Sequence, residues 1–188
     1  MIGYAFSGSF CTLARSLEAL EALLSRGYEV QPILSENVRD TDTRFFIASE
    51  FRDRVESLCK RRAITTITEA EPLGPKAPLE ALIVAPCTGN SLAQIANGIT
   101  DTALTMAVKA HLRADRTLLL ALASNDAMSQ TLGNIARLMT RKSVFFVRMR
   151  EDDPKGKPYS LVAEMSEIPT ALELALRGEQ MRPIFIER

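Results

Sequence analysis

The chain is poor in the residues that build several common kinds of site. It holds one histidine, His111, in 188 residues, which excludes a multi-histidine metal centre. Its three cysteines, Cys11, Cys59 and Cys87, are odd in number and far apart. That argues against a disulfide framework or a CxxC zinc site and for a reducing compartment. No GxGxxG, Walker or GxSxG string is present, so an ordinary nicotinamide-dinucleotide site, an ATP site and a nucleophile elbow are not indicated. No apolar run reaches the roughly 18–20 residues of a membrane span. Residues 1–10 lack a charged start and a cleavage site, so no signal peptide and a cytoplasmic location are expected. Lys+Arg and Asp+Glu stand at 23 each, so no net charge draws the chain to nucleic acid or to a membrane.

What is present is a globular balance of 46% hydrophobic and 24% charged residues, enough for one α/β domain over residues 1–188. Strand and helix signals alternate. Strands are predicted over residues 2–7, 28–34, 64–67, 81–85 (ending at Pro86), 117–123 and 144–147. Leu13, Leu17, Leu20 and Leu24 recur at helical spacing before Gly27, and Phe51, Val55 and Leu58 mark a second helix. Further helices are expected over 91–96, 102–113, 129–140 and 168–176. Residues 35–43, 71–78 and 152–158 read as loops or turns, and 184–186 as an extended tail. The alternation implies a Rossmann-like, three-layer domain: a mostly parallel sheet wrapped by helices, with ligands at the carboxyl ends of its strands.

Three turns follow strands at that edge. Ser7-Gly8-Ser9-Phe10-Cys11-Thr12 combines small residues and hydroxyls with a helix start, which suits a phosphate, and it also reads as a tight turn with a serine cap. Ala85-Pro86-Cys87-Thr88-Gly89-Asn90 is a ligand-lining turn or a strand–helix connection capped by Thr88. Ala123-Ser124-Asn125-Asp126-Ala127-Met128 is a third polar turn, again open to a capping role. Asp101 or Thr102 can cap the following helix. Cys11 and Cys87 read as a redox pair or as two small buried residues. His111 reads as structural. Residues 137–157 carry seven basic side chains against three acidic ones, centred on Arg141, Lys142, Arg148 and Arg150. This is a site for an anionic substrate or a solvated surface.

These segments resemble the flavoprotein superfamily of homo-oligomeric, flavin-containing cysteine decarboxylases. The match lies in the Gly/Ser turn after the first strand, in Ala85-Pro86-Cys87-Thr88-Gly89-Asn90 and in Ile95-Ala96-Asn97-Gly98-Ile99-Thr100-Asp101. A closer resemblance, to the dipicolinate synthase B-subunit family, covers nearly the whole chain. It is carried by Ser35-Glu36-Asn37-Val38, Thr41-Asp42-Thr43-Arg44-Phe45, Glu69-Ala70-Glu71-Pro72, Lys109-Ala110-His111-Leu112-Arg113, Ser124-Asn125-Asp126-Ala127 and Asp152-Asp153-Pro154.

The resemblance implies oxidation of a dihydro- or hydroxytetrahydro-dipicolinate to dipicolinate in spore formation, together with a companion A subunit that carries NADP. It implies FMN, or only a phosphate or nucleotide at the same site. Ser7, Gly8, Ser9, Thr12, Ser35, Pro86, Cys87, Thr88, Asn90, Asp101, Ser124 and Asn125 are the expected cofactor-binding residues. Arg148 and Lys157 are the expected partners of a small dicarboxylate substrate. A homo-oligomer built on trimers is implied, with residues 104–112 as a candidate interface. The superfamily's decarboxylases use a histidine between the second and central strands, and residues 31–82 contain none. Ser124-Asn125-Asp126 stands where they have Pro-Ala-Met-Asn. A stand-alone FMN-dependent decarboxylase or prenyltransferase and a non-catalytic scaffold for the A subunit are the alternatives.

Overall fold

The computed structural model describes residues 1–74 and 79–187. In chain order the elements are β1 (Ile2–Phe6), α1 (Leu13–Ser25), β2 (Val30–Leu34), α2 (Glu36–Asp40), α3 (Ala48–Cys59) and α4 (Ile67–Ala70). Next come β3 (Ala81–Cys87), α5 (Gly89–Asn97), α6 (Ala103–Leu112), β4 (Thr117–Ser124) and α7 (Leu132–Met139). The chain closes with β5 (Val144–Phe146), β6 (Met149–Asp153), β7 (Lys157–Ala163) and α8 (Ile168–Leu176). Short 3-10 turns lead into α1 at Phe10–Thr12, follow α4 at Glu71–Leu73 and lead into α8 at Met165–Glu167.

The sheet runs β2-β1-β3-β4-β7-β6, and β5 also pairs with β4. The β2, β1, β3, β4 and β5 pairings are parallel. The β6–β7 hairpin is antiparallel and joins the carboxyl end of β4, where Ala123 faces Val162 and Ser124 faces Leu161. The central strands are apolar on both faces because helices cover both. Ile2, Tyr4 and Phe6 point to a core shared with α1, α3 and α8. Ala5, Leu82, Val84, Leu118 and Leu120 point to a second core shared with α5, α6 and α7. Successive residues alternate between the two layers, as the pleat requires. Among the described residues no helix is long and apolar enough to cross a membrane.

Four local expectations change. Residues 35–43 hold the single-turn helix α2, too short for periodicity to reveal. The strand expected over 64–67 is reduced to one parallel bridge between Ile33 and Ile64. Thr66 and Glu69 then form a capping box that starts α4, and a hydroxyl three residues before a glutamate is its sequence signal. β3 continues through Pro86 to Cys87 with a register shift, which accommodates a residue that has no N–H for the ladder. The 152–158 turn is the tip of the β6–β7 hairpin, whose polar outer halves hide the period-two pattern. Of the loop expected over 71–78, residues 75–78 lie outside the described residues.

Candidate functional site

From β1 the chain turns to β2 on one side of the sheet, and from β3 to β4 on the other. The carboxyl ends of β1 and β3 therefore flank a switch point, where neighbouring connections diverge and leave a crevice. A cavity of about 1030 Å³ opens there. It is walled by the turn after β1, the start of α5, the turn after β4, the hairpin tip and the loop before α3.

Internal hydrogen bonds hold the floor. The Ser7 hydroxyl donates to the Pro86 carbonyl at 2.6 Å and accepts the Thr88 N–H at 3.0 Å, locking β1 to β3. The Thr12 hydroxyl donates to the Ser9 carbonyl and hydroxyl, each at 2.8 Å. Thr88 caps α5, its hydroxyl accepting the Ser91 N–H at 3.1 Å and donating to the Ser91 hydroxyl at 3.0 Å. One buried hydroxyl differs. Ser35 Oγ, at the end of β2, has no hydrogen-bond partner among the described residues. Its backbone N–H meets the Phe6 carbonyl at 3.0 Å, which sets it beside the end of β1.

The turn after β4 holds a fixed carboxylate. Asp126 Oδ1 accepts the Ser124 hydroxyl at 2.5 Å and the Thr131 hydroxyl at 2.8 Å. Those two bonds hold its pKa below the usual carboxylate range, so it stays ionised at neutral pH. The first residue of α5 must be small here. A Cβ at Gly89 would lie 2.7 Å from Ser124 Oγ, 2.9 Å from Thr131 Oγ1 and 3.0 Å from Asp126 Oδ1.

The rim is charged and aromatic. Phe46 packs against Phe10 and Phe51, with ring centroids 5.8 and 5.0 Å away. Asp42 receives the Ala48 N–H at 2.9 Å, and the Thr43 hydroxyl receives the Phe45 N–H at 3.1 Å. With the loop anchored in this way, Arg44 and Phe45 stand at the crevice, the guanidinium 4.8 Å from the ring centroid. Arg15, on the first turn of α1, also lines the crevice. So do Lys157, paired with Asp152 at 2.7 Å, and Tyr159, whose carbonyl accepts the Met128 N–H at 3.0 Å.

Gly8, Ser9, Thr12, Thr88, Asn90, Ser124, Asn125 and Lys157 all line the crevice. Ser7, Ser35, Pro86, Cys87 and Asp101 do not. Ser7 and Pro86 are bonded to each other under the floor. Cys87 is buried, and burial pushes its thiol up to about 12, so it is not a thiolate. Cys11, by contrast, is exposed. Asp101 follows the far end of α5, about 13 Å along the helix from Thr88, and accepts a hydrogen bond from Gln94 at 2.9 Å. Thr102 is the residue that caps α6.

Arg148, expected to meet a substrate carboxylate, lies away from the crevice. Its Nε is 2.5 Å from Glu167, Arg150 pairs with Glu164 at the same distance, and neither arginine reaches the crevice. Arg15, Arg44, Phe45, Asp126 and Tyr159 were missed as site residues. Arg44, Phe45 and Asp126 lie within strings that carry the family resemblance, whereas nothing in the local pattern marks Arg15 or Tyr159. His111 is buried, with Nε2 2.7 Å from the Thr117 carbonyl, a structural position. Among the described residues no group of His, Cys, Asp and Glu side chains is arranged to hold a metal ion.

The family model described as Flavoprotein matches residues 1–173. The chain is 41% identical over 186 residues to the B subunit of dipicolinate synthase from Bacillus subtilis (strain 168), covering 99% of this chain and 93% of that protein. It superposes on the crystal structure of the dipicolinate synthase B subunit from Bacillus halodurans with a TM-score of 0.91 and 37% identity, over 100% and 96% of the two chains. The FMN-dependent cysteine decarboxylase SpaF shares the fold, with a TM-score of 0.67 and 23% identity over 93% and 95% of the chains.

Proposed function

The chain belongs to the flavoprotein family and, within it, to the dipicolinate synthase B-subunit family, and on that premise we propose that it works with a companion A subunit to form dipicolinate. The reaction removes two hydrogens, as a hydride and a proton, from a dihydrodipicolinate ring, or does so after loss of water from the hydroxytetrahydro form. The hydride leaves to a nicotinamide cofactor, NADP, on the A subunit. The setting is the cytoplasm of a sporulating cell. The observation that carries this reading is the 41% identity, spread over 99% of the chain, to a protein named as a B subunit.

FMN fits the crevice. A buried hydroxyl with no partner is costly unless a ligand supplies one, and Ser35 Oγ is such a group. A Cβ at Gly8 would come 3.2 Å from Asn37 Cβ, so the chain at this turn stays close and small. Ser9 presents a hydroxyl at the same turn, just ahead of the helical segment that starts at Phe10. Ser9 and the first N–H groups of that segment, which line the crevice, would hold the phosphate, with Ser35 Oγ behind the lining at the end of β2. Asp126, ionised and already receiving two hydroxyls, is a poor proton acceptor and a good hydrogen-bond acceptor for ribityl hydroxyls. Bound flavin would supply a two-electron carrier beside the substrate ring. We further propose a homo-oligomer.

The test follows ultraviolet absorbance of the aromatic product with this chain alone, with the A subunit alone and with both, in the presence of NADP and FMN. Product is expected only from the mixture. Full turnover by either chain alone overturns the two-subunit reading. Light scattering that finds only monomer at micromolar concentration overturns the oligomer.

A further inference from the structure

We infer that the outer part of the crevice is a binding site for a planar ring bearing two carboxylates, gripped by Arg15 and Arg44 between the rings of Phe45 and Tyr159. The identity of the ring rests on the function proposed above. The site itself rests on how these four side chains are held.

Charge is the first ground. Arg148 and Arg150 are each matched to a glutamate, and Lys157 to Asp152. Arg15 and Arg44 have no carboxylate partner among the described residues, yet both face the crevice. A guanidinium offers parallel N–H donors that match one carboxylate, so two such groups suit a dianion. Stacking of Arg44 over Phe45 leaves the guanidinium edge free to donate.

Aromatic exposure is the second ground. Phe45 is 51% exposed and Tyr159 56%, although large apolar side chains at a crevice mouth gain by being covered. Neither backbone is loose. Phe46 and Thr43 pin the loop on one side, and the Met128–Tyr159 hydrogen bond pins the hairpin on the other. Both rings line the same crevice, and each can offer a face to a flat molecule there.

Size is the third ground. Small-molecule sites usually span about 300–1,000 Å³. A crevice of about 1030 Å³ has room for a flavin deep inside and a smaller ring at the mouth. The two ends differ in chemistry, with the neutral hydroxyls of Ser9, Thr12 and Thr88 at one and guanidiniums at the other.

The experiment is calorimetric titration of the full chain, with and without FMN, using pyridine-2,6-dicarboxylate and pyridine-2-carboxylate. The dicarboxylate should bind about tenfold or more tightly than the monocarboxylate. R15Q and R44Q should each weaken the dicarboxylate about tenfold, R44K should fall between, and FMN affinity should stay within about twofold. R148Q should leave dicarboxylate binding unchanged. Melting temperatures within a few degrees of the parent show that the variants are folded. Equal affinity for the two acids, no dicarboxylate binding to the parent chain, or full binding by R15Q and R44Q each overturns the inference. Loss of FMN or of A-subunit binding in these variants, with dicarboxylate binding intact, also overturns it and assigns the arginines to the cofactor or the partner. If the parent chain takes the dicarboxylate through Arg15 and Arg44 but takes no FMN, the inference stands and the flavin reading fails.

Discussion

At the floor of the crevice, the hydroxyls of Ser7, Thr12, Thr88 and Ser124 are all used inside the fold, Ser7 across to Pro86 and the other three within their own turns. At its rim, Arg15 and Arg44 point polar groups at no carboxylate among the described residues. The floor is therefore scaffold first. It ties β1 to β3 and shapes the turns themselves, and beside it one buried hydroxyl, Ser35 Oγ, has no partner among the described residues. The rim is where charge and ring faces remain for a ligand. A serine-rich turn at a sheet edge, then, is not by itself a set of ligand donors, because here most of its hydroxyls are used to make the turn.

The largest effect that would break this contrast is expected from Gly89→Val. The added carbons meet the Ser124–Asp126–Thr131 cluster at 2.7–3.0 Å, and overpacking should destabilise the fold by about 3 kcal/mol, read as a lower urea midpoint. A parent-like midpoint would mean that the floor is not closely packed. Ser7→Ala comes next. It leaves the Thr88 N–H without its acceptor and removes one donor from the Pro86 carbonyl, for a cost of about 2 kcal/mol in the chain without ligand.

Ser35→Ala should behave in the opposite way. Its hydroxyl bonds to nothing in the fold, so stability without ligand should hold, while FMN affinity falls about tenfold, roughly 1.4 kcal/mol. A stability loss like that of Ser7→Ala would place Ser35 with the scaffold. Arg148→Gln should cost about 1 kcal/mol, since the side chains paired with each other are partly exposed although the paired atoms, Arg148 Nε and Glu167 Oε2, are covered.

The smallest effect within the accessible range concerns pH. Burial lowers the pKa of His111 in the fold, so the folded chain binds fewer protons than the unfolded one below the ordinary histidine value of about 6.5. Stability should be full well above that value and should fall as pH drops through about 6.5 toward the lower folded value. The extra slope should vanish in His111→Gln, and a slope that persists would assign it to other groups.

Much of the fold was legible along the chain because the relevant signals are local. The apolar runs in β3 and β4 and the leucine spacing of α1 report burial directly, and alternation of strands with helices implies a parallel sheet. The three polar turns were legible for the same reason, since each follows a strand. The β6–β7 hairpin was not. Only its inner residues, such as Leu161 and Val162, are buried, and its outer half is polar on both faces. α4 was hidden by Ile64, which looked like the start of a strand and makes only one bridge.

Function divides along the same line. By itself the sequence determined the layer architecture, the edge on which the crevice opens and the family, because hydrophobic period, turn chemistry and short identical strings need no knowledge of distant contacts. Only the tertiary structure decided which cations are available. Arg148 and Arg150 lie in the most basic stretch of the chain, but their charge is met by Glu167 and Glu164 from the segment leading into α8. Arg15 and Arg44 stand 29 positions apart in surroundings with no basic run, and the packing of Phe46 against Phe10 helps bring both to one crevice. The physical reason is that a charge's availability depends on what folds against it, and those neighbours come from elsewhere in the chain.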